Sequence, residues 1–213
     1  LLLASLGFTA ALILTILLAA ASNMTGMGWL RAGLQALPSL FISVPVFWLG
    51  IMLIQIFSFQ LGLVSVISPG PVEKLVLPVM TLAIPISAPL AQILMRNIDQ
   101  VLTQPFVAVA RAKGASRSWV LWRHVARNAL LPTLTIAGVL FGELLAGAVV
   151  TEAVFGLSGL GGLTYQAVGN HDTAVLQAIV VISALAFVTI NLIVDLLYPV
   201  LDPRLGSKVG ATA

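Results

Sequence analysis

The sequence contains no cysteine and very little charge. Of its 213 residues, 8% are charged and 60% are hydrophobic, whereas a soluble globular domain carries roughly 25% charged residues. The missing cysteines exclude a disulfide framework, a thiolate metal site and a cysteine nucleophile. The shortage of charge excludes a soluble protein, because too few polar side chains remain to cover a surface that faces water. Lipid is therefore the expected solvent of this chain.

Motifs that would give the chain a catalytic role are also missing. The Gly-x-x-x-x-Gly-Lys-Ser/Thr phosphate loop and the His-Glu-x-x-His metal motif do not occur in the sequence. Ser158 lies in a Gly-Leu-Ser-Gly segment that resembles half of a nucleophile elbow, but no base accompanies it. His124 and His171 fall in loops that the charge distribution assigns to opposite sides of a membrane, so they cannot share a metal ion. We expect no catalytic residue and no metal site on this chain.

Five stretches are long and apolar enough to cross a membrane as helices. About 20 apolar residues cross about 30 Å of hydrocarbon as a helix, and only a helix or a closed barrel satisfies its own backbone there. The strict alternation that a barrel strand needs is absent. We therefore predict an all-α polytopic transmembrane bundle with spans at about residues 1–21, 40–61, 75–95, 130–150 and 174–197.

The lysine and arginine residues indicate which loops are cytoplasmic. Six of the ten lie in the 96–128 loop, two in the 198–213 tail and one between the first two spans, whereas Lys74 alone lies on the opposite side. The positive-inside rule places the 96–128 loop and the C-terminus in the cytoplasm and the 155–173 loop outside. Five crossings that end inside begin outside, so we expect a sixth, N-terminal span before residue 1. A cleaved signal peptide is the alternative.

Two carboxylates fall inside or near the predicted hydrocarbon region. Glu143 lies in the middle of the fourth span, and Asp195 lies late in the fifth, about a turn from Tyr198. An ionisable group at such depth is costly and raises a functional hypothesis, such as a proton relay or contact with a polar solute. The alternatives are a packing or assembly role for Glu143 and a structural polar contact for Asp195.

Proline and small residues predict how two of the spans are shaped and packed. Pro78, Pro85 and Pro89 each remove a backbone donor from the third span or its approach, which predicts a kink or local unwinding. In the fourth span small residues recur at a spacing of four, which predicts close approach of another helix; they are Gly138, Gly142 and Ala146.

The segment from Gln104 to Asn128 is too long for a tight connection and too polar to insert. It predicts a short helix over residues 106–113 after Pro105, a break at Gly114, and a second helix capped by Ser116 or Ser118. In the second helix, spacing at 100° per residue predicts one apolar face, made of Leu121, Trp122, Val125 and Ala129.

Arg123 and Arg127 stack on the opposite face of that second helix, where like charges repel unless something anionic is near. Phospholipid headgroups and acidic residues of a partner protein would each supply the negative charge, and the spacing does not distinguish between them. Trp119 and Trp122 interleave with these basic residues, but a cytoplasmic loop of a membrane protein more often meets headgroups or a docked subunit than nucleic acid.

Two stretches of this loop, FVAVARAKGAS at 106–116 and RHVARNALLP at 123–132, resemble the cytoplasmic loop of inner-membrane permeases of binding-protein-dependent ABC importers. The likeness is greatest to the dipeptide and oligopeptide permeases. Further matching stretches are VPVFWLG at 44–50, TEAVF at 151–155 leading into GLG at 159–161, and NLIVDLLY at 191–198 with LDPR at 201–204. The last of these resembles the B-type subunit of the paired permeases. The chain departs from the family at Ala108, where the broader family has a glutamate, and at Ser158, where proline is usual.

The resemblance implies a type I importer permease of six spans in a bacterial inner membrane. It implies that the loop is a coupling helix docking on an ATP-hydrolysing subunit, through Ala110, Arg111, Ala112, Lys113, Gly114, Ala115 and Ser116. It also implies an outer loop with Glu152, Gly159 and Gly161, near an extracytoplasmic solute-binding protein. The implied partners are a second permease, two ATPase subunits and membrane lipid, with ATP and Mg on the ATPases and no cofactor on this chain.

The function that the resemblance implies is import of dipeptides or oligopeptides, driven by ATP. Nickel, glutathione or another small solute is the alternative within the same branch. Two alternatives come from other classes: an ion-coupled secondary transporter that uses Glu143, and a non-transporting scaffold whose basic loop faces lipid. The absence of a visible inverted repeat argues against the secondary transporter.

Overall fold

The described part of the chain is mostly helical and contains no strand. The computed structural model describes residues 2–66 and 69–201, except the side chains at 117, 127, 131, 146, 190, 194, 195 and 197–201. Its nine α-helices are α1 (Leu2–Met24), α2 (Gly28–Ile42), α3 (Val46–Leu53), α4 (Glu73–Leu102), α5 (Pro105–Ala112), α6 (Arg117–Val120), α7 (Ala126–Val154), α8 (Leu160–Gly169) and α9 (Thr173–Leu201). A π-helical segment, Ile54–Gln60, extends α3, and another, Leu121–Val125, joins α6 to α7. The predicted all-α fold is confirmed.

Four of the described helices, α1, α4, α7 and α9, are long and apolar enough to cross a membrane by themselves. The predicted span at 40–61 differs from the structure, because α2 and α3 meet there at a bend of 107°. Pro45 disfavours helical backbone at the residue before it, so α2 ends at Ile42 and a new helix begins at Val46. Together, α2 and α3 with its π-helical extension are long and apolar enough to cross a membrane as one broken span.

Helix α4 forms the centre of the bundle, with α1, α2, α3 and α7 packed around it. It runs unbroken through Pro78, Pro85 and Pro89, so the local unwinding that these prolines predict does not occur. Neighbouring helices and hydroxyl groups make interior prolines tolerable in a membrane helix. The Thr15 hydroxyl of α1 joins the two helices by donating a hydrogen bond of 3.3 Å to the buried carbonyl of Ser87.

Helix α9 lies at the edge of the bundle, against α7 and α8. The predicted close approach at the stripe of small residues is confirmed at Gly142, where a Cβ atom would overlap the ring of Phe187 from α9. The side chain of Ala146 lies outside the described part of the structure. Most of the large apolar side chains of α9 remain exposed, as they would be in lipid.

Candidate functional site

Residues 105–120, which we call the inner elbow, contain α5, a tight turn and α6. Pro105 occupies the first turn of α5, where its missing N–H costs no hydrogen bond. Gly114 follows the helix with a φ of +84°. Its N–H donates to the Arg111 carbonyl at 2.9 Å, and the Ala115 N–H donates to the Ala110 carbonyl at 3.2 Å. This pair of bonds is a Schellman motif, which favours glycine at that position.

Ser116 starts the second helix of the elbow, as its sequence position predicts. Its side-chain oxygen accepts a hydrogen bond of 3.3 Å from the backbone N–H of Trp119, which satisfies one free donor at the helix start. The Trp119 ring packs edge-on against His124 with centroids 4.9 Å apart, and Phe106 of α5 lies on the same imidazole. The two arms of the elbow are therefore held together around His124.

The root of the elbow is buried in the bundle, at the end where α4 stops and α7 begins. Val107, Val120 and Val125 are almost completely buried and pack in one cluster with residues of α1 and α4. Leu121 and Ala129 belong to the same cluster, as their spacing predicts. The 100° spacing also predicts Trp122 on this buried face, but its side chain is 52% exposed. The π-helical turn at Leu121–Val125 changes the angular spacing, so the 100° pattern does not hold across it.

The tip of the elbow is exposed and basic. Arg111, Ala112, Lys113, Gly114 and Ser116 are exposed, and Ala110 and Ala115 are partly buried. Arg123, on the following turn, is also exposed, whereas the side chain of Arg127 is outside the described part of the structure. No described residue pairs with Arg111, Lys113 or Arg123. The elbow therefore combines a fixed root with a positively charged tip that the chain itself leaves open.

A polar contact between α2 and α4, which the sequence patterns did not predict, lies beside the inner elbow. The Arg31 guanidinium donates to the Asp99 carboxylate at 2.6 Å, and Gln35 reaches its second oxygen at 3.5 Å. A second contact between the same helices lies about two turns earlier on α4, where the Gln92 amide donates to the Ser39 hydroxyl at 3.2 Å. Arg31, Gln35 and Ser39 recur every four residues, which places them on one helix face. This spacing could have revealed a polar face of α2, but not its partner residues on α4.

We expect the Arg31–Asp99 pair to fix the direction of α2 with only a small effect on stability. The two side chains are 34% and 43% exposed, and exposed pairs contribute about 0–1 kcal/mol. A double-mutant cycle with Arg31→Ala and Asp99→Ala, read by thermal unfolding in detergent, should give a coupling within that range. A coupling of about 3 kcal/mol or more would contradict this, because it is typical of a buried pair.

The three predicted residues of the outer loop lie together at the start of α8. The Glu152 carboxylate accepts a hydrogen bond of 2.7 Å from the backbone N–H of Gly161. A Cβ atom at Gly159 would overlap this carboxylate. A negative charge at a helix N-terminus is stabilising, because the free N–H groups carry partial positive charge. Glu152 therefore fastens α8 to the end of α7, and α8 itself lies within the segment predicted only as a loop, 155–173.

The outer loop also borders an open cavity of about 860 Å³. Its opposite wall is the start of α4, where the Glu73 carboxylate accepts hydrogen bonds from the backbone N–H groups of Ser65 at 2.5 Å and Gly70 at 3.1 Å. Lys74 and Ser158 also line this cavity. At this end of the bundle, two carboxylates therefore accept hydrogen bonds from backbone N–H groups: Glu73 from groups that precede α4 and Glu152 from one at the start of α8.

Glu143 and Asp195, the two predicted membrane carboxylates, differ in what the structure records of them. The Glu143 side chain is exposed on α7, and no described residue bonds to it. The backbone of Asp195 belongs to α9, but its side chain lies outside the described residues.

Comparison with known proteins decides the family. Residues 7–207 match the family described as the binding-protein-dependent transport system inner membrane component. The chain belongs to this family. It is 39% identical over 167 residues to the glutathione transport system permease protein GsiC of Escherichia coli (strain K12) and to that of Salmonella choleraesuis (strain SC-B67). In both alignments 78% of this chain is covered, and the chain spans 55% of the length of these relatives.

Solved structures show the same fold for this inner membrane component. A chain of an amino acid ABC transporter with histidines matches with a TM-score of 0.69 at 20% identity, covering 92% of this chain and 87% of that one. A chain of the MetNI methionine ABC transporter in an inward-facing conformation matches with a TM-score of 0.71 at 20% identity, covering 94% and 90%. The predicted permease-like helical fold and the multi-pass inner-membrane class are thereby confirmed.

Proposed function

We propose that the chain is a permease subunit of an ATP-driven importer and that the inner elbow is its docking element for an ATPase subunit. The observation that carries this proposal is the elbow's construction: a buried root, a glycine-dependent turn and an exposed basic tip without a described partner. A surface of that kind fits a groove with acidic residues better than it fits lipid alone, because the helix ends at the tip are geometrically fixed.

The structure also suggests how movement of the elbow would reach the membrane. α4 ends at Leu102, and α5 begins at Pro105, so the elbow is attached to α4 by a two-residue link. On its other side, α6 continues through the π-helical turn into α7 without a break. A displacement of residues 110–116 would therefore act on both α4 and α7, which pack against each other through the bundle.

The remaining parts of the importer are partner subunits in this proposal. Two ATPase subunits bind ATP and Mg and hydrolyse ATP, and this chain contributes no catalytic residue. A second permease completes the pathway, and an extracytoplasmic solute-binding protein delivers solute near the outer loop at 155–173. The elbow and the C-terminus are cytoplasmic, in line with the distribution of basic residues.

For the solute, dipeptides or oligopeptides remain the main candidate. Glutathione is the second, favoured by the 39% identity to permeases named for glutathione transport. Both solutes are peptide-like, with an ammonium group and at least one carboxylate. A pathway that accepts a small charged peptide would serve either.

The test is purification of the full chain with its neighbours from the native membrane. We expect two ATPase subunits and a second permease to copurify, and we expect peptide uptake in proteoliposomes to require both ATP and the solute-binding protein. Uptake by the isolated chain under a proton gradient, without ATP or partners, would instead establish the secondary transporter. Copurification of neither ATPase nor second permease, with the elbow on lipid, would leave the scaffold as the function.

A further inference from the structure

Glu143 differs from every other acidic residue whose side chain the structure describes. The other four lie at helix ends or inner and outer surfaces, and each accepts a hydrogen bond from a described group: Glu73, Asp99, Glu152 and Asp172. Glu143 is exposed and has no such bond. Its partner is therefore expected outside the described part of this chain.

Glu143 also lies far from both ends of its helix. With a rise of 1.5 Å per residue, it is about 16 Å from the outer end of α7 at Val154 and about 25 Å from Ala126. Hydrocarbon is about 30 Å thick, so the carboxylate lies at membrane depth. An ionised group facing lipid at that depth is costly, and such groups almost always face a protein interior or a water-filled cavity.

The face of α7 that carries Glu143 is uncovered in this chain. Val139, one turn before it, and Val150, two turns after it, are 58% and 45% exposed. The neighbouring face, which begins about 60° to 100° around the helix from Glu143, packs against α1 and α4 through Leu140 and Leu144. Because lipid is a poor neighbour for a carboxylate, the uncovered face is expected to border water or a second protein.

We propose that Glu143 faces the solute pathway and binds the ammonium group of a peptide-like solute; this rests on the proposed function. A hydrated pathway solvates the carboxylate without a fixed partner, whereas a permanent ion pair with the second permease would require a second charge at membrane depth, where desolvation opposes the attraction. This chain itself offers no such positive charge at membrane depth, because none of its ten lysine and arginine residues lies within a predicted span. An ammonium is also the group that dipeptides, oligopeptides and glutathione share.

Thiol labelling tests whether water reaches the face of α7 that carries Glu143. The chain has no cysteine, so Glu143→Cys, Val139→Cys and Val188→Cys each introduce its only thiol; Val188 lies on α9 and is 61% exposed. In the assembled importer we expect a membrane-impermeant cationic methanethiosulfonate to label the first two about tenfold or more faster than the third, because thiolate forms only where water reaches it. Equal, slow labelling of Glu143→Cys and Val188→Cys would overturn the pathway assignment.

Charge is tested separately by Glu143→Gln and Glu143→Asp in proteoliposomes. For a dipeptide, we expect Glu143→Gln to raise the KM for binding-protein-delivered uptake about tenfold and Glu143→Asp to restore much of the loss. An N-acetylated dipeptide, chosen for equal affinity for the solute-binding protein, should be transported equally by wild type and Gln. Unchanged dipeptide uptake in the Gln variant, or a loss that accompanies failed copurification with the second permease, would overturn the proposal.

These outcomes are distinct from failure of the proposed function. If the wild-type chain copurifies with ATPases and imports peptide with ATP, the proposed function stands whatever Glu143 does. If it does not, the labelling pattern still reports whether the Glu143 face is wet.

Discussion

Replacing Gly114 with valine should reduce ATP-driven uptake by the assembled importer about tenfold or more. Gly114 has a φ of +84°, and left-handed backbone costs an L-residue roughly 1–2 kcal/mol, with β-branched residues among the least tolerant. Valine would relieve that strain by leaving the turn, which would break the bonds from Gly114 and Ala115 that end α5. The basic tip would then no longer be held in one orientation.

The matched control is Gly114→Asn, because asparagine tolerates left-handed backbone better than other residues. Among the described residues, no atom beyond the two chain neighbours of Gly114 lies within 4 Å of a Cβ atom at this position, so we expect neither variant to clash with them. We expect asparagine to keep ATPase association and to lose less uptake than valine. Both properties are measured by copurification and by ATP-dependent uptake in the same proteoliposomes. Wild-type uptake with Gly114→Val in intact complexes would contradict the role of the elbow.

The elbow could be predicted from the sequence because its signals are local. Pro105, Gly114 and Ser116 act on the backbone within one helical turn of themselves, so helix start, stop and restart follow from residue type and spacing. The same holds for the length and number of apolar stretches, which predict membrane helices without knowledge of their neighbours. Trp122 marks the limit, because a π-helical turn is not visible in a 100° pattern.

Features that depend on contacts between distant segments could not be predicted in this way. The bend between α2 and α3 has a local cause at Pro45, but Pro78, Pro85 and Pro89 carry the same signal and lie in a continuous helix. Only the packing around each proline distinguishes the two outcomes. The Arg31–Asp99 pair likewise joins residues 68 positions apart, and the residue types alone do not indicate which residue at that distance is the partner.

Glu143 shows how the two levels combine. Its sequence position indicates an ionisable group at membrane depth but leaves open a packing role inside the bundle. The structure favours a role outside the described part of this chain, because the side chain is exposed and no described residue bonds to it. The remaining question concerns what lies beyond the chain, and the labelling experiment addresses it.

The second large effect is expected at the outer end, where Gly161→Ala should detach α8 from α7. A Cβ atom at Gly161 would overlap the backbone carbonyl of Val149 and lie 2.9 Å from the Cβ atom of Glu152. Backbone cannot move aside as a side chain can, so α8 must shift, and the hydrogen bond from Gly161 to the Glu152 carboxylate is lost with it. Overpacking costs about 1–3 kcal/mol, and a hydrogen bond to a charged group contributes about 1.5–3 kcal/mol.

At about 2–4 °C per kcal/mol, thermal unfolding of the Gly161→Ala complex in detergent should begin well below that of wild type. Gly169→Ala, at the far end of the same helix, is the matched control. Among the described residues, nothing outside the adjoining helix backbone lies within 4 Å of its Cβ position, and the exchange slightly favours helix. Glu152→Gln separates the two causes, since it weakens the hydrogen bond without adding an atom near Val149. If Gly161→Ala unfolds at the temperature of Gly169→Ala, the close packing of α8 on α7 is not what holds the outer loop in place.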